Sequence, residues 1–226
     1  MNSTNLILWL ILFFAMISIF LLVRRRERLK AHAFLTFPSP PLNEPIPDTP
    51  IPFGYKCSWY CVSGLDDQRI LEILGPRHVA PANWREGIEA AYEGEVFITP
   101  NVDQWKFIIS TQFFMKPLNE ISSSVSSHLS KFSSESEPAF FFATDRITET
   151  HIWAKAVGGS ITRGYGYCGE SGEVFWDEGE PSSAERGLLT YPDEETLLKL
   201  ANEWAISPVA LEKYEVRPAI GIIVEI

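Results

Sequence analysis

An unbroken apolar run, Leu6–Val23, constrains this chain more than any other feature. Its 18 residues carry no charge and as an α-helix would span about 27 Å, close to the roughly 30 Å core of a bilayer. A helix apolar on every side has no polar face to turn to water, so the run is read as a transmembrane helix. A cleaved signal peptide would place its positive charge before the apolar stretch and small residues after it. Here the order is reversed. Met1–Asn5 carries no charged side chain, and Arg24, Arg25, Arg26, Arg28 and Lys30 follow the run directly. The positive-inside rule then keeps this flank, and everything beyond it, in the cytoplasm, with the N-terminus outside. The lipid bilayer is thus the expected partner of residues 6–23, with the basic flank among anionic headgroups.

Residues 31–52 form a proline-rich linker. Pro38, Pro40, Pro41, Pro45, Pro47, Pro50 and Pro52 exclude a helix or a central strand, because proline fixes φ and removes a donor. A semi-rigid spacer rising ~3.1 Å per residue is expected. Pro38–Pro41 also fits the P-x-x-P spacing of proline-rich ligands, although a plain spacer needs no partner.

Residues 53–226 make up one α+β domain. Tyr55–Val62 reads as a strand, and Asp66–Leu74 as a helix closed by Gly75. Asn83 and Glu86 have capping-box spacing, with Trp84, Ile88 and Ala91 on one face. Glu95–Thr99 and Trp105–Thr111 form a hairpin. Leu118–Phe132 is heavy in serine, but Leu118, Ile121, Val125, Leu129 and Phe132 recur at helical spacing. Ala139–Thr144 reads as a strand, Thr148–Val157 as a helix stopped by Gly158-Gly159, and Ser160–Cys168 and Val174–Asp177 as a hairpin. Asp193-Glu194-Glu195 opens a helix whose buried stripe is Leu197, Leu200, Ala201 and Trp204, and Ala219–Ile226 is a last strand. The expectation is a largely antiparallel sheet from two strand–helix–hairpin halves. That order resembles gyrase-inhibitor-like domains in topology, a likeness that carries no function.

Most motifs that could carry chemistry dissolve on inspection. Gly164-Tyr-Gly166-Tyr-Cys-Gly169 matches G-x-G-x-x-G in form. It lies within a strand and precedes Glu170 and Glu173, where phosphate would be repelled, so no cofactor is expected. Cys57 and Cys61 lie about 13 Å apart on one strand, too far for a disulfide, and read as small buried residues. The histidines have no zinc spacing, so no metal is expected. Asp145, Glu149 and His151 cluster at the start of the expected helix, where a general base and a helix-dipole role are both open.

Charge narrows the function classes. The formal net charge of −10 excludes a generic nucleic-acid binder, which needs clustered Lys and Arg. It divides into +4 over residues 1–30 and −14 over the remainder. Between Gly169 and Glu195, Arg186 is the only basic residue against Glu170, Glu173, Asp177, Glu178, Glu180, Glu185, Asp193, Glu194 and Glu195. Such a stretch is either a solvated face or a docking surface for a basic protein partner. Asp177-Glu-Gly-Glu180 lacks the frame of a calcium loop.

Trp153-Ala-Lys-Ala-Val-Gly-Gly, continuing through Arg163-Gly-Tyr165-Gly-Tyr167-Cys-Gly-Glu170-Ser-Gly-Glu173, resembles a signature of an uncharacterised bacterial family. The resemblance extends from about Tyr55 to Leu211. It implies a bacterial origin, hence the cytoplasmic (inner) membrane, and no established activity or site. Two function classes stand. One is a non-enzymatic interaction or sensing module, of which an immunity-type protein neutralising a basic toxin is one form. Its docking residues would be Glu170, Glu173, Asp177, Glu178 and Glu180. The other is a small-molecule-binding protein or small enzyme with a cleft near His151, Arg163 and Tyr165, where Glu170 or Glu173 would converge with His151 and Arg163.

Overall fold

A strand buried on both faces organises the domain. In the computed structural model, which describes residues 44–134, 137–185 and 192–226, all seven residues of β1 (Cys57–Ser63) are buried. Cys57, Trp59 and Cys61 enter one core, and Tyr60 and Val62 the other. Side chains alternate across a strand, so a strand covered on both sides reads as a continuous apolar run.

Eight further strands join it: β2 (His78–Ala82), β3 (Val96–Ile98), β4 (Trp105–Ser110), β5 (Ala139–Asp145), β6 (Thr150–Val157), β7 (Ser160–Cys168), β8 (Glu173–Glu178) and β9 (Gly221–Glu225). They form a single sheet in the order β2-β9-β3-β4-β1-β5-β6-β7-β8, with every neighbouring pair antiparallel. The α+β class and the antiparallel sheet are as the sequence implies.

Two helices cover each face. α1 (Asp67–Leu74) and α3 (Leu118–Ser133) bury Ile70, Ile73, Ile121, Val125, Leu129 and Phe132 against Tyr60, Phe141 and Ile152. α2 (Trp84–Tyr92) and α4 (Glu194–Trp204) bury Trp84, Ile88, Leu197 and Leu200 against Trp59, Phe107, Phe142 and Trp153. Their ends follow the sequence signals. Gly75 closes α1 with φ 63°, Asn83 and Glu86 form the reciprocal capping box of α2, and Asp193 caps α4.

The second half departs from expectation. Thr148–Val157 is not a helix: Thr150–Val157 is strand β6, paired with β5 and β7. Ile152, Ala154 and Ala156 enter one core and Trp153 the other, so burial on both faces hides the period of two. Gly158 and Gly159 do not stop a helix. Both have positive φ, 56° and 80°, and form the two-residue turn joining β6 to β7. β5 to β8 is therefore an all-strand meander, and the expected pair of strand–helix–hairpin halves does not exist. The gyrase-inhibitor likeness falls with it. β2 has no counterpart among the strands expected from the sequence, and it contains Pro81, which cannot donate to a ladder. It is tolerated at this outermost position.

Part of the expected spacer packs on the domain. Asp48 accepts the amides of Trp84 (2.6 Å) and Arg85 (3.2 Å) at the start of α2 and bridges to Ala219, and Pro50 is buried. The compact unit runs over Glu44–Ile226. The expected anchor Leu6–Val23 and its flank Arg24, Arg25, Arg26, Arg28 and Lys30 lie outside the described residues. Among the described residues no helix is long and apolar enough to cross a membrane.

Candidate functional site: an acidic outer strand on a buried arginine

β7 alternates glycine with larger side chains, and the sheet explains why. On the α3 side, the rings of Trp176 and Phe175 from β8 lie over Gly164 and Gly166. A Cβ on Gly164 would stand 2.2 Å from Trp176, and one on Gly166 2.5 Å from Phe175. The glycines make room for a neighbouring strand's aromatic rings rather than for a phosphate.

On the α4 side, Arg163 and Tyr165 project toward Trp153. Trp153 and Tyr165 stack with centroids 4.5 Å apart, and the Arg163 guanidinium carbon lies 5.4 Å from the Tyr165 ring centroid. Arg163, only 2 % exposed, donates from Nε to Glu185 Oε1 and from Nη1 to Asp177 Oδ1, each at 2.6 Å. Nη1 also reaches the carbonyls of Gly164, Glu178 and Gly179. Glu185 is fully buried and accepts from Trp153 Nε1 (2.7 Å) and the Ser182 amide (2.7 Å) as well. Burial alone would raise its pKa. The donors Trp153, Arg163 and Ser182 outweigh that and hold the carboxyl below its ordinary value. Burial likewise opposes the Arg163 charge, but Asp177 and Glu185 hold its pKa above the usual one. This network ties β6, β7, β8 and the following loop into one unit.

Glu185 is what sequence reasoning missed. It was grouped with the surface acids, because a carboxylate within an acidic run carries no mark of its burial. Three others in that run are also structural. Asp193 caps α4; Glu194 is buried and paired with Arg146 and the Tyr55 amide; and Glu195 pairs with Lys199 at 2.7 Å.

The remaining five are the ones read as docking residues. Glu170, Glu173, Asp177, Glu178 and Glu180 are all exposed, on β8 or its flanking turns. β8 is the edge strand at the end of the sheet opposite β2. Asp177 is held by Arg163, and Glu178 accepts Trp176 Nε1 at 3.1 Å. Glu170, Glu173 and Glu180 have no ion-pair partner among the described residues, and Arg186 lies outside those residues. The edge thus presents one sign of charge on a fixed strand.

The other expected trio is only partly assembled. Arg163 and Tyr165 adjoin, but His151 pairs in register with Tyr167, four residues along β7 from Arg163, roughly 13 Å. His151 is fully buried, with Nδ1 3.2 Å from Thr144 Oγ1 and Nε2 3.4 Å from Glu149 Oε2. Burial lowers its pKa, only partly offset by Glu149, so the neutral imidazole is favoured. It begins no helix; it sits on β6 beyond a turn in which Glu149 takes φ 48°. Glu170 and Glu173 lie out on the exposed edge and do not converge with it. Among the described residues, no group of three or more His, Cys, Asp or Glu side chains is placed to hold a metal ion. Compared with known protein families, curated proteins and solved structures, the chain matches none.

Proposed function

We propose that this is a single-pass membrane-anchored protein whose acidic α+β domain is a non-enzymatic interaction module, docking a basic protein partner through β8 and its flanking turns. One observation carries the reading: five exposed carboxylates share one edge strand and its turns, and three of them, Glu170, Glu173 and Glu180, have no ion-pair partner among the described residues, while Glu185 and Glu194 are buried and paired, Asp193 caps α4 and Glu195 pairs with Lys199. A concentrated single-sign field speeds encounter with an opposite charge and selects against like-charged partners. Backing by Arg163 and Glu185 holds the strand in place, so a partner does not have to order it first. An immunity-type role against a basic toxin is one form of this reading. The apolar run and its basic flank support the anchor and the cytoplasmic placement, and the family resemblance supports a bacterial inner membrane. Binding or catalysis around His151, Arg163 and Tyr165 has less behind it, since His151 is buried against Thr144 and Glu149 and stands four residues along β7 from Arg163.

The test uses the full chain in detergent micelles and a fluorescent lysine-rich peptide. Glu173→Lys with Glu180→Lys should weaken binding about tenfold, or ~1.4 kcal/mol, and flatten its salt dependence. The same charge change at Glu195 and Glu203 on α4 should have a smaller effect. Equal losses in the two pairs, or no loss, would sink the assignment to β8. For orientation, a C-terminal reporter should be active only in the cytoplasm; periplasmic activity would reverse it.

A further inference from the structure

The turn between β5 and β6, residues 146–149, closes over a buried imidazole. His151 is fully buried on β6, between Thr144 of β5 and Tyr167 of β7 in register. Its Nε2 meets Glu149 Oε2 at 3.4 Å, and the Glu149 side chain is itself exposed. Glu149 thus stands between the ring and water. It does so with φ at 48°, in the left-handed region that side chains seldom adopt unless their surroundings hold them there.

Those surroundings are the β7–β8 turn and the start of α4. The Gly169 amide donates to the Glu149 carbonyl (2.9 Å), and the Glu170 amide to the Thr148 carbonyl (3.0 Å). The contact requires a glycine, since a Cβ on Gly169 would stand 2.5 Å from that of Glu149. Arg146 pairs with Glu194 of α4, and Asp145 accepts the Ile147 amide at 2.9 Å. The turn that covers His151 therefore also holds the turn that carries Glu170 and leads into Glu173.

The groups around His151 decide what a proton there would do. Glu149 faces it from its own turn, and Asp193 and Glu194 from α4. Tyr167 faces it from β7, and Cys57 of β1 lies beyond Thr144. Arg146 is engaged by Glu194. Burial opposes the imidazolium, and the three carboxylates favour it without offsetting that burial. The folded chain keeps the ring neutral at a pH where an exposed imidazole takes up a proton.

We propose that residues 146–149 are a pH-sensitive latch, in which a proton on His151 opens the turn and frees the β7–β8 turn of the acidic edge. β6 is held between β5 and β7, so the ring stays in place. The turn moves instead, and its opening brings water to the imidazolium. The amides of Gly169 and Glu170 then lose their acceptors, and Glu170 and Glu173 lose their fixed place. The sign follows from where the proton binds. The open form takes it up near the ordinary value of 6.5, the closed form only at lower pH. The latch is therefore shut above 6.5 and loosens as pH falls below it, by at most about tenfold per pH unit. Its effect on docking rests on the function proposed above; the latch itself does not.

Hydrogen exchange of the full chain in detergent micelles, read residue by residue at about pH 7 and about pH 5.5 and corrected for the intrinsic rate, tests the latch without a partner. Protection at Gly169 and Glu170 should fall about fivefold on acidification, with that of β1 unchanged. His151→Gln should keep equal protection at both pH values. Glu149→Gln removes a carboxylate that favours the imidazolium and should deepen the fall. Protection that stays constant in the unaltered chain, falls as far in His151→Gln, falls alike in β1, or falls no further in Glu149→Gln would overturn the latch. Binding of the lysine-rich peptide should weaken over the same interval in the unaltered chain and not in His151→Gln. Absence of peptide binding at either pH, with exchange as expected, would overturn the docking reading and leave the latch standing.

Discussion

At the scale of single residues, the decisive contact is Glu185 with Arg163. Both are buried, so removing one partner leaves the other charged and desolvated. Glu185→Ala should cost ~3–5 kcal/mol, read by urea unfolding. Glu185→Gln keeps the shape and an acceptor and should cost less. The pH dependence has a definite sign. The folded state holds Glu185 below its ordinary value of 4.5. As pH falls, the unfolded chain therefore takes up the proton first. The contribution is complete above 4.5 and is lost as pH drops through the lower folded value. The stability of Glu185→Gln should accordingly fall less steeply below 4.5 than that of the unaltered chain; parallel profiles would contradict the assignment. No sequence pattern singled out Glu185, because its partners Trp153 and Ser182 meet it only once β6 and the post-β8 loop are in place. Arg163 and Tyr165 were legible as a pair because a strand sets residues two apart on one face.

At the scale of elements, helix ends were read well because their signals are local. Asp66, Asn83 and Asp193 each cap the helix they precede in sequence. The serine-rich helix was legible for a related reason, since Ile121, Val125, Leu129 and Phe132 keep their period whatever the residues between them do. β6 was not legible. With both faces covered it lacks alternation, and Ala154 and Ala156 suit a helix better than a strand. Its one clear signal was Gly158-Gly159, the shortest hairpin loop, equally readable as a helix stop. Asp48 is a cap of another kind, reaching α2 from outside the helix's own sequence. Asp48→Ala should cost ~1 kcal/mol of stability. A chain beginning at residue 44 should unfold at the same denaturant concentration as one retaining the spacer, and a chain beginning at residue 53 at a lower one. Equal midpoints for all would mean that residues 44–52 contribute nothing to the domain.

At the scale of the whole molecule, the charge of −10 divides into a basic end and an acidic domain. At the proposed membrane anchor, anionic headgroups would attract the first and repel the second over about a Debye length, ~8 Å at physiological salt. Deleting residues 6–23 should move the chain from the membrane pellet to the supernatant on fractionation. Retention in the pellet at high salt would show that something other than the apolar run holds it there.

The placement of β9 between β2 and β3 has a consequence in time. β3 with β4, and β5 through β8, pair between strands that follow one another along the chain, whereas β1 (Cys57–Ser63) waits for β4 and then for β5 (Ala139–Asp145). β3 and β2 wait for a strand made long after them. During synthesis, β3 keeps a bare edge, and β2 has no partner at all, until residues 221–225 have left the ribosome. Ordinary translation adds roughly 5–20 residues per second, so that interval lasts about 6–25 s. In it the apolar edge of a half-built sheet is open to whatever strand comes near.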